Sequence, residues 1–295
     1  MAQTQPAGRE RGLLARAPST GLVVCGIASV QFGSAIAATL FHQVGPGGAV
    51  LLRLLSASIV LLAIWRPRIA RRTRRELLLA CLLGAVLAGM NLTFYHAIHR
   101  IPLGIGVTIE FVGPLAVAIA GSRRPLDAMW VALAATGIIA LANGGTHGLD
   151  GLGVALALAA GCLWGCYILI QARVGRSFQR GDGLALAMCV ATVIALPVGI
   201  GEGGSNLLEP RSLALGAAVG MLSSAIPYSF ELEALRRIPP SVFGVLMSLE
   251  PAMAALAGFI VLGQGLDARQ LLGMALVITA SIGASRRTRA ASIDL

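Results

Sequence analysis

Ten long apolar stretches dominate the chain, at 20–41, 47–65, 77–97, 101–121, 126–143, 151–171, 183–201, 212–234, 239–262 and 268–285. Each is close to the ~20 residues with which an α-helix crosses a hydrocarbon core of ~30 Å. Short polar runs and helix-breaking pieces such as Gly45-Pro46-Gly47-Gly48 and Gly144-Gly145 separate them. The pattern predicts an all-α polytopic membrane protein with ten transmembrane helices. Residues 1–19 form a polar, Arg-bearing tail, and the apolar run that follows is too long for a signal-peptide core, so it reads as an uncleaved first helix.

One stretch occurs twice. Ile101-Pro102 leads through Glu110 to Gly113-Pro114, and 137 residues later Ile238-Pro239 leads to Glu250-Pro251; Arg100 likewise maps onto Arg237. This divides the chain into a first repeat at 20–144 (helices one to five), a second at 151–285 (helices six to ten), and a tail at 286–295. Five helices per repeat is an odd number, so the second half enters from the opposite face, giving the inverted repeat that supports alternating access. Gly161/Gly165 and Gly216/Gly220 have the small-xxx-small spacing that lets helices approach closely.

Composition sharpens the class. The chain is 56% hydrophobic and only 12% charged, with a mean hydropathy of +0.81. Its net charge of +10 comes from Arg alone, with no Lys. A basic excess invites a nucleic-acid reading, but the arginines sit in short runs between apolar spans and form no binding stripe. With the amino terminus cytoplasmic, the inner segments hold nineteen of them and the outer segments only Arg100, Arg211 and Arg269. The positive-inside rule therefore places both termini in the cytoplasm. Cys25, Cys81, Cys162, Cys166 and Cys189 all fall in apolar spans, which implies no disulfide framework. Cys162 and Cys166 have no His or carboxylate beside them, so small-residue packing outweighs a metal site. Nucleophile elbows, His-Glu-x-x-His and paired-aspartate motifs are missing, which argues against an enzyme.

Polar residues inside the spans are the candidate chemistry. A charge at the bilayer centre costs at least ~2.5–3.5 kcal/mol, so such groups face a cavity, pair or neutralise. At ~1.5 Å per residue, Glu110 lies roughly 12 Å and Glu250 roughly 14 Å below the outer face, in nearly the same layer. Arg53 and Asn91 fall at comparable depth and Gln31 near the midplane. The two carboxylates read either as protonatable transport groups or as structural partners of Arg53. Arg53 itself could bind a substrate carboxylate, lock a Glu, or snorkel outward. Glu231 lies beside Tyr228 near the inner end of helix eight, as an inner-gate residue or another ion pair, whereas Glu233 has ordinary helical spacing to Arg236 and Arg237. Tyr95, Trp164, Tyr167 and Tyr228 could line a pocket, while Trp65 and Trp130 suit interface anchoring. His96 and His99 lie close to the outer face, where a surface role outweighs a proton relay. Pro114 and Pro251 each remove a backbone hydrogen bond next to a carboxylate, so a kink is expected there.

The pieces Pro102-Leu-Gly-Ile, Glu110-Phe-Val-Gly-Pro114, Ser122-Arg-Arg-Pro125, Pro227-Tyr-Ser-Phe-Glu231 and Met247-Ser-Leu-Glu-Pro-Ala252 resemble the drug/metabolite transporter superfamily, and within it the ten-helix EamA-type branch. Ser248, inside the last of these runs, joins the candidate site. The resemblance implies a bacterial inner-membrane exporter of small amino acids of the threonine/homoserine kind. It also implies proton antiport, with the proton-motive force as the driver, no cofactor, and the amino acid and lipid bilayer as the partners. Monomer and homodimer are equally compatible with the sequence. Other small metabolites and cationic drugs remain alternative cargoes on the same fold; a phosphate site would want several intramembrane cations, and only Arg53 qualifies.

Overall fold

The computed structural model describes residues 18–67, 72–120, 125–142, 149–178, 181–227, 230 and 246–291, and every regular element among them is helical. In chain order these are α1 (Ser19–Thr39), α2 (Phe41–Trp65), α3 (Arg74–Ile98), α4 (Leu103–Glu110), α5 (Val112–Ala120), α6 (Pro125–Ala142), α7 (Gly151–Ser177), α8 (Asp182–Gly203), α9 (Pro210–Gly220), α10 (Glu250–Leu262) and α11 (Ala268–Ala291). A short 3-10 turn, Gly204–Leu208, follows α8, and a π-helical segment, Met221–Ala225, continues α9. Among the described residues, five helices are long and apolar enough to cross a membrane: Thr20–Thr39, Phe41–Trp65, Arg74–Ile98, Gly151–Ser177 and Asp182–Leu208. The chain is a polytopic membrane protein.

Local chemistry sets the helix ends. Thr73 opens α3 with a capping box, accepting from the Glu76 backbone N–H at 3.3 Å while the Glu76 carboxylate accepts from the Thr73 N–H at 2.8 Å. Asp150 caps α7 through the Leu152 and Gly153 N–H groups and pairs with Arg100 at 2.9 Å. Gly263, at φ +66, closes α10 in the left-handed conformation that glycine adopts without steric cost.

The Gly45-Pro46-Gly47-Gly48 run separates two helical segments as expected: Gly45, at φ +69, is non-helical and breaks α2 just after Val44. The expected kink within 101–121 falls at Phe111, between α4 and α5, where the Phe111 and Leu115 N–H groups still donate to the Val107 and Phe111 carbonyls. Pro114 thus falls in the first turn of α5, where its missing N–H is tolerated.

Packing is mostly between early and late helices. α2 runs along α8 and α9, α3 along α7 and α8, α1 and α4 against α10, α4 and α5 against α7, and α6 against α11. Leu54, Leu83, Leu87 and Met188 are fully buried between α2, α3 and α8. Large apolar side chains such as Ile59, Leu78, Val193, Phe259 and Leu272 point outward instead. On a water-soluble protein such an apolar surface would be a liability; here it is the face that lipid solvates.

Small residues permit the closest crossings. A Cβ on Gly113 would collide with the Gly161 carbonyl, and one on Gly161 would lie 2.6 Å from the Glu110 carbonyl oxygen. Gly216 meets Leu52 in the same way, and Gly220 meets Ser56. The Gly161/Gly165 and Gly216/Gly220 pairs are therefore helix-contact faces, as their spacing suggests.

Candidate functional site

Helix interruptions place the two carboxylates. Glu110 is the last residue of α4 and Glu250 the first of α10, each at a break and each beside a proline that cannot close the helical ladder. Pro114 has no N–H for the Glu110 carbonyl, and Pro251 none for that of Met247. Both residues left in this way, Glu110 and Met247, line one cavity of about 150 Å³. Glu250 lines it too.

The wall is completed by Gln31 and Ser34 of α1, Arg53 of α2, Asn91 with Met90 and Phe94 of α3, Val107 of α4, Trp164 and Tyr167 of α7, and Ser223 of the π-helical segment. Glu110 and Glu250 are only 8% and 6% exposed. Polar groups thus converge in a buried space rather than scattering towards lipid, as the cost of intramembrane charge demands.

Arg53 is held as well as placed. Its Nη1 donates to Tyr95 Oη at 3.1 Å and its Nη2 to the Ser223 carbonyl at 3.3 Å. The guanidinium carbon lies 5.6 Å from the Tyr95 ring centroid. Tyr95 is fully buried and leans on Phe41 and Phe94, with ring centroids 5.6 and 6.1 Å away. Arg53 and Glu110 line the same cavity. Trp164 is set edge-on to Phe111, 5.5 Å between centroids, which fixes the indole beside the α4/α5 break.

Of the sequence candidates, the structure gathers Gln31, Arg53, Asn91, Glu110, Trp164 and Glu250 around this cavity. Asn91 contributes less freely than expected, because its Nδ2 donates to the Leu87 carbonyl one turn back at 2.8 Å. Tyr95 is corrected from pocket lining to a support standing behind Arg53. Ser248 is also corrected: fully buried, it exchanges a 2.8 Å hydrogen bond with Ser281 of α11 and is not part of the wall. Tyr228 and Glu231 lie outside the described residues. His96 is taken up by a 2.9 Å contact with Glu202 away from the cavity.

Ser34, Ser223, Met90 and Phe94 were not singled out from sequence. Ser34 is one helical turn from Gln31 and Phe94 one turn from Asn91, so helical periodicity from the polar anchors could have found these two, whereas Met90, next to Asn91 in sequence, follows only from Phe94 at i+4. Ser223 could not be found in that way, because the π-helical step that turns it inward follows no 3.6-residue period.

Among the described residues no group of three or more His, Cys, Asp or Glu could hold a metal ion. Chemically, the cavity offers a fixed cation, two carboxylates and neutral hydrogen-bonding groups, a set suited to binding and releasing a zwitterion.

Comparison with known proteins agrees with this character. The EamA-like transporter family matches residues 151–286. The threonine/homoserine exporter RhtA of Escherichia coli (strain K12) is 42% identical over 274 residues, 91% of each chain. Its counterpart in Salmonella typhimurium (strain LT2) is 41% identical over the same share. The uncharacterized transporter YwfM of Bacillus subtilis (strain 168) is 26% identical over 76% of this chain and 79% of its own. One solved crystal structure shares the fold with a TM-score of 0.61 at 16% identity, covering 91% of this chain and 99% of that one. With such identity along nearly its whole length, the chain belongs to the EamA-like transporter family of the drug/metabolite transporter superfamily.

Proposed function

We propose that this protein exports small amino acids of the threonine and homoserine kind from the cytoplasm across the bacterial inner membrane, in exchange for protons. The observation that carries this reading is the convergence of Arg53, Glu110 and Glu250 on one small buried cavity. A zwitterion presents a carboxylate for Arg53 and an ammonium for the glutamates. The E. coli and Salmonella relatives named for threonine/homoserine export supply the cargo class. Drug-sized ligands occupy pockets of about 300–1,000 Å³; a cavity of about 150 Å³ suits a small amino acid better.

The architecture in this reading is ten spans in two inverted repeats, 20–144 and 151–285, with both termini cytoplasmic. The offset that carries Pro114 onto Pro251 also carries the break at Phe111 onto the turn at Ser248. The contacts support it further. Numbering the spans one to ten, exchange of the halves maps the packing of span two on seven, four on nine and five on ten onto itself. It swaps span one on nine with six on four, and span three on seven with eight on two. The family match at 151–286 occupies the second repeat.

Cargo enters from the cytoplasm, rocking of the halves exposes it outside, and a proton arriving on Glu110 or Glu250 weakens the hold on its ammonium. One charge gains ~2.3 kcal/mol per 100 mV, so at ~150 mV a proton supplies about 3.5 kcal/mol. That sustains a gradient of roughly 300-fold. No cofactor is required. The test is transport by purified protein in liposomes against a panel of amino acids, with and without a pH gradient. Threonine and homoserine should move, faster when the gradient is imposed. Transport confined to other cargo would overturn the reading.

A further inference from the structure

We propose that Glu202, which stands outside the cavity wall, is a positioning residue for Arg53: from α8 it caps the part of α2 that carries the guanidinium. The inference rests on the amino-acid export reading, in which Arg53 takes the cargo's carboxylate.

Gly45, at φ +69, breaks α2, and Arg53 belongs to the portion that restarts beyond the break. In an unbroken helix the Gly47 N–H would donate to the Gln43 carbonyl, four residues back. Here side chains from the end of α8 and the turn after it serve both groups. The Gly47 N–H donates to Glu202 Oε2 at 2.6 Å, and the Gln43 carbonyl accepts from Asn206 Nδ2 at 2.9 Å. Glu202 thus does from another helix what an N-cap side chain does from its own, and its carboxylate stands at the positive end of the restarted helix.

The backbone is shaped to receive it. A Cβ on Gly45 would lie 2.7 Å from Glu202 Oε2, and one on Gly47 would lie 3.0 Å from the Glu202 carboxyl carbon. The same close seam continues towards Arg53, where a Cβ on Gly199 of α8 would lie 2.5 Å from the Leu51 side chain.

The carboxylate has a second hold. Glu202 Oε1 lies 2.9 Å from His96 Nε2, and the other ring nitrogen contacts the Leu92 carbonyl at 2.7 Å. His96 follows Tyr95, whose hydroxyl accepts from Arg53 Nη1. Phe41, on the far side of the break, packs its ring on Tyr95. One side chain therefore ties the restarted α2, which carries Arg53, to the turn of α3 that supplies Tyr95. No described residue of α8 lines the cavity, so Glu202 works through these neighbours and not by touching cargo. A guanidinium that grips a carboxylate through two bonds needs both its place and its plane fixed, so loss of the cap should weaken cargo capture.

The experiment measures concentration-dependent threonine efflux by the full-length protein in liposomes, for variants alone and combined with Arg53→Lys. Glu202→Leu removes both acceptor oxygens and should raise the apparent KM about fivefold or more, with the maximal rate changed less. Glu202→Gln keeps an oxygen for the Gly47 N–H and an amide nitrogen for His96, so its KM should stay within about twofold of wild type. Asn206→Ala should raise KM by a smaller factor than Glu202→Leu. Because the effect runs through the guanidinium, Glu202→Leu should add less than about twofold on the Arg53→Lys background, a non-additivity that general loss of stability would not produce.

An unchanged KM in Glu202→Leu, or equal factors in the two backgrounds, would overturn the assignment and leave the export reading standing. A KM for Glu202→Gln as high as that of Glu202→Leu would also overturn it, since charge and not capping would then be at work. If Glu202→Leu fails to reach the membrane, Asn206→Ala in the two backgrounds decides by the same criterion. If wild type moves no amino acid, both readings fall.

Discussion

Glu110 and Glu250 terminate two different helices and face the same cavity. Each stands at a proline-associated interruption of an apolar helical segment, where the freed backbone borders the cavity. An isolated buried carboxylate is expensive, but two that share a polar pocket with a guanidinium are tolerable and chemically useful.

Arg53 makes two bonds through a planar fork, to Tyr95 Oη and to the Ser223 carbonyl. Lys offers a single point charge and cannot hold both while engaging a substrate carboxylate. Arg53→Lys should raise the apparent KM for cargo by at least about tenfold, roughly 1.4 kcal/mol. Tyr95→Phe removes one neutral support worth about 1 kcal/mol, so its effect should be smaller. Concentration-dependent efflux from liposomes gives both values. Equal KM values for Arg53→Lys and wild type would show that the fork is not used.

Gly113 and Gly161 set the crossing of α7 over the α4/α5 joint. Gly161→Val should cost about 1–3 kcal/mol through overpacking and also displace the backbone of Glu110, lowering both melting temperature and transport. Gly151→Ala, with open space around its Cβ, is the control and should change neither. Thermal unfolding in detergent, followed by transport of the same preparations, checks this.

At the membrane edge, the hydrogen bond from Arg100, followed by that from the Gly153 N–H, holds the Asp150 carboxyl below its ordinary value of 3.8. A carboxyl with a lowered folded-state pKa contributes stability above its unfolded value and loses it as pH falls through the folded one. Wild type should therefore lose thermal stability on acidification below about pH 4 more steeply than Asp150→Asn. Parallel acid limbs in the two melting-temperature profiles would remove this pair from the acid response.

Much of this was legible in the sequence because lipid imposes strong rules. Twenty-residue apolar runs placed the long helices, and the cost of intramembrane charge pointed to Arg53, Glu110 and Glu250, which the structure brings together. Side-chain direction was less legible. Ser248 sits two residues from Glu250 and turns to Ser281, as helical spacing requires, since residues two apart do not share a face. Tyr95 carried the right chemistry but acts through Arg53 from behind. The break at Gly45 was legible in the Gly-Pro-Gly-Gly run, whereas Ser223 depends on a π-helical step with no sequence period.

The decisive measurement is threonine efflux from liposomes under an imposed pH gradient, comparing wild type with the double variant Glu110→Gln, Glu250→Gln. Acceleration by the gradient should vanish in the double variant, while equal amounts of folded protein remain in the bilayer. Proton-driven efflux at the wild-type rate from a protein lacking both carboxylates would contradict their role in coupling.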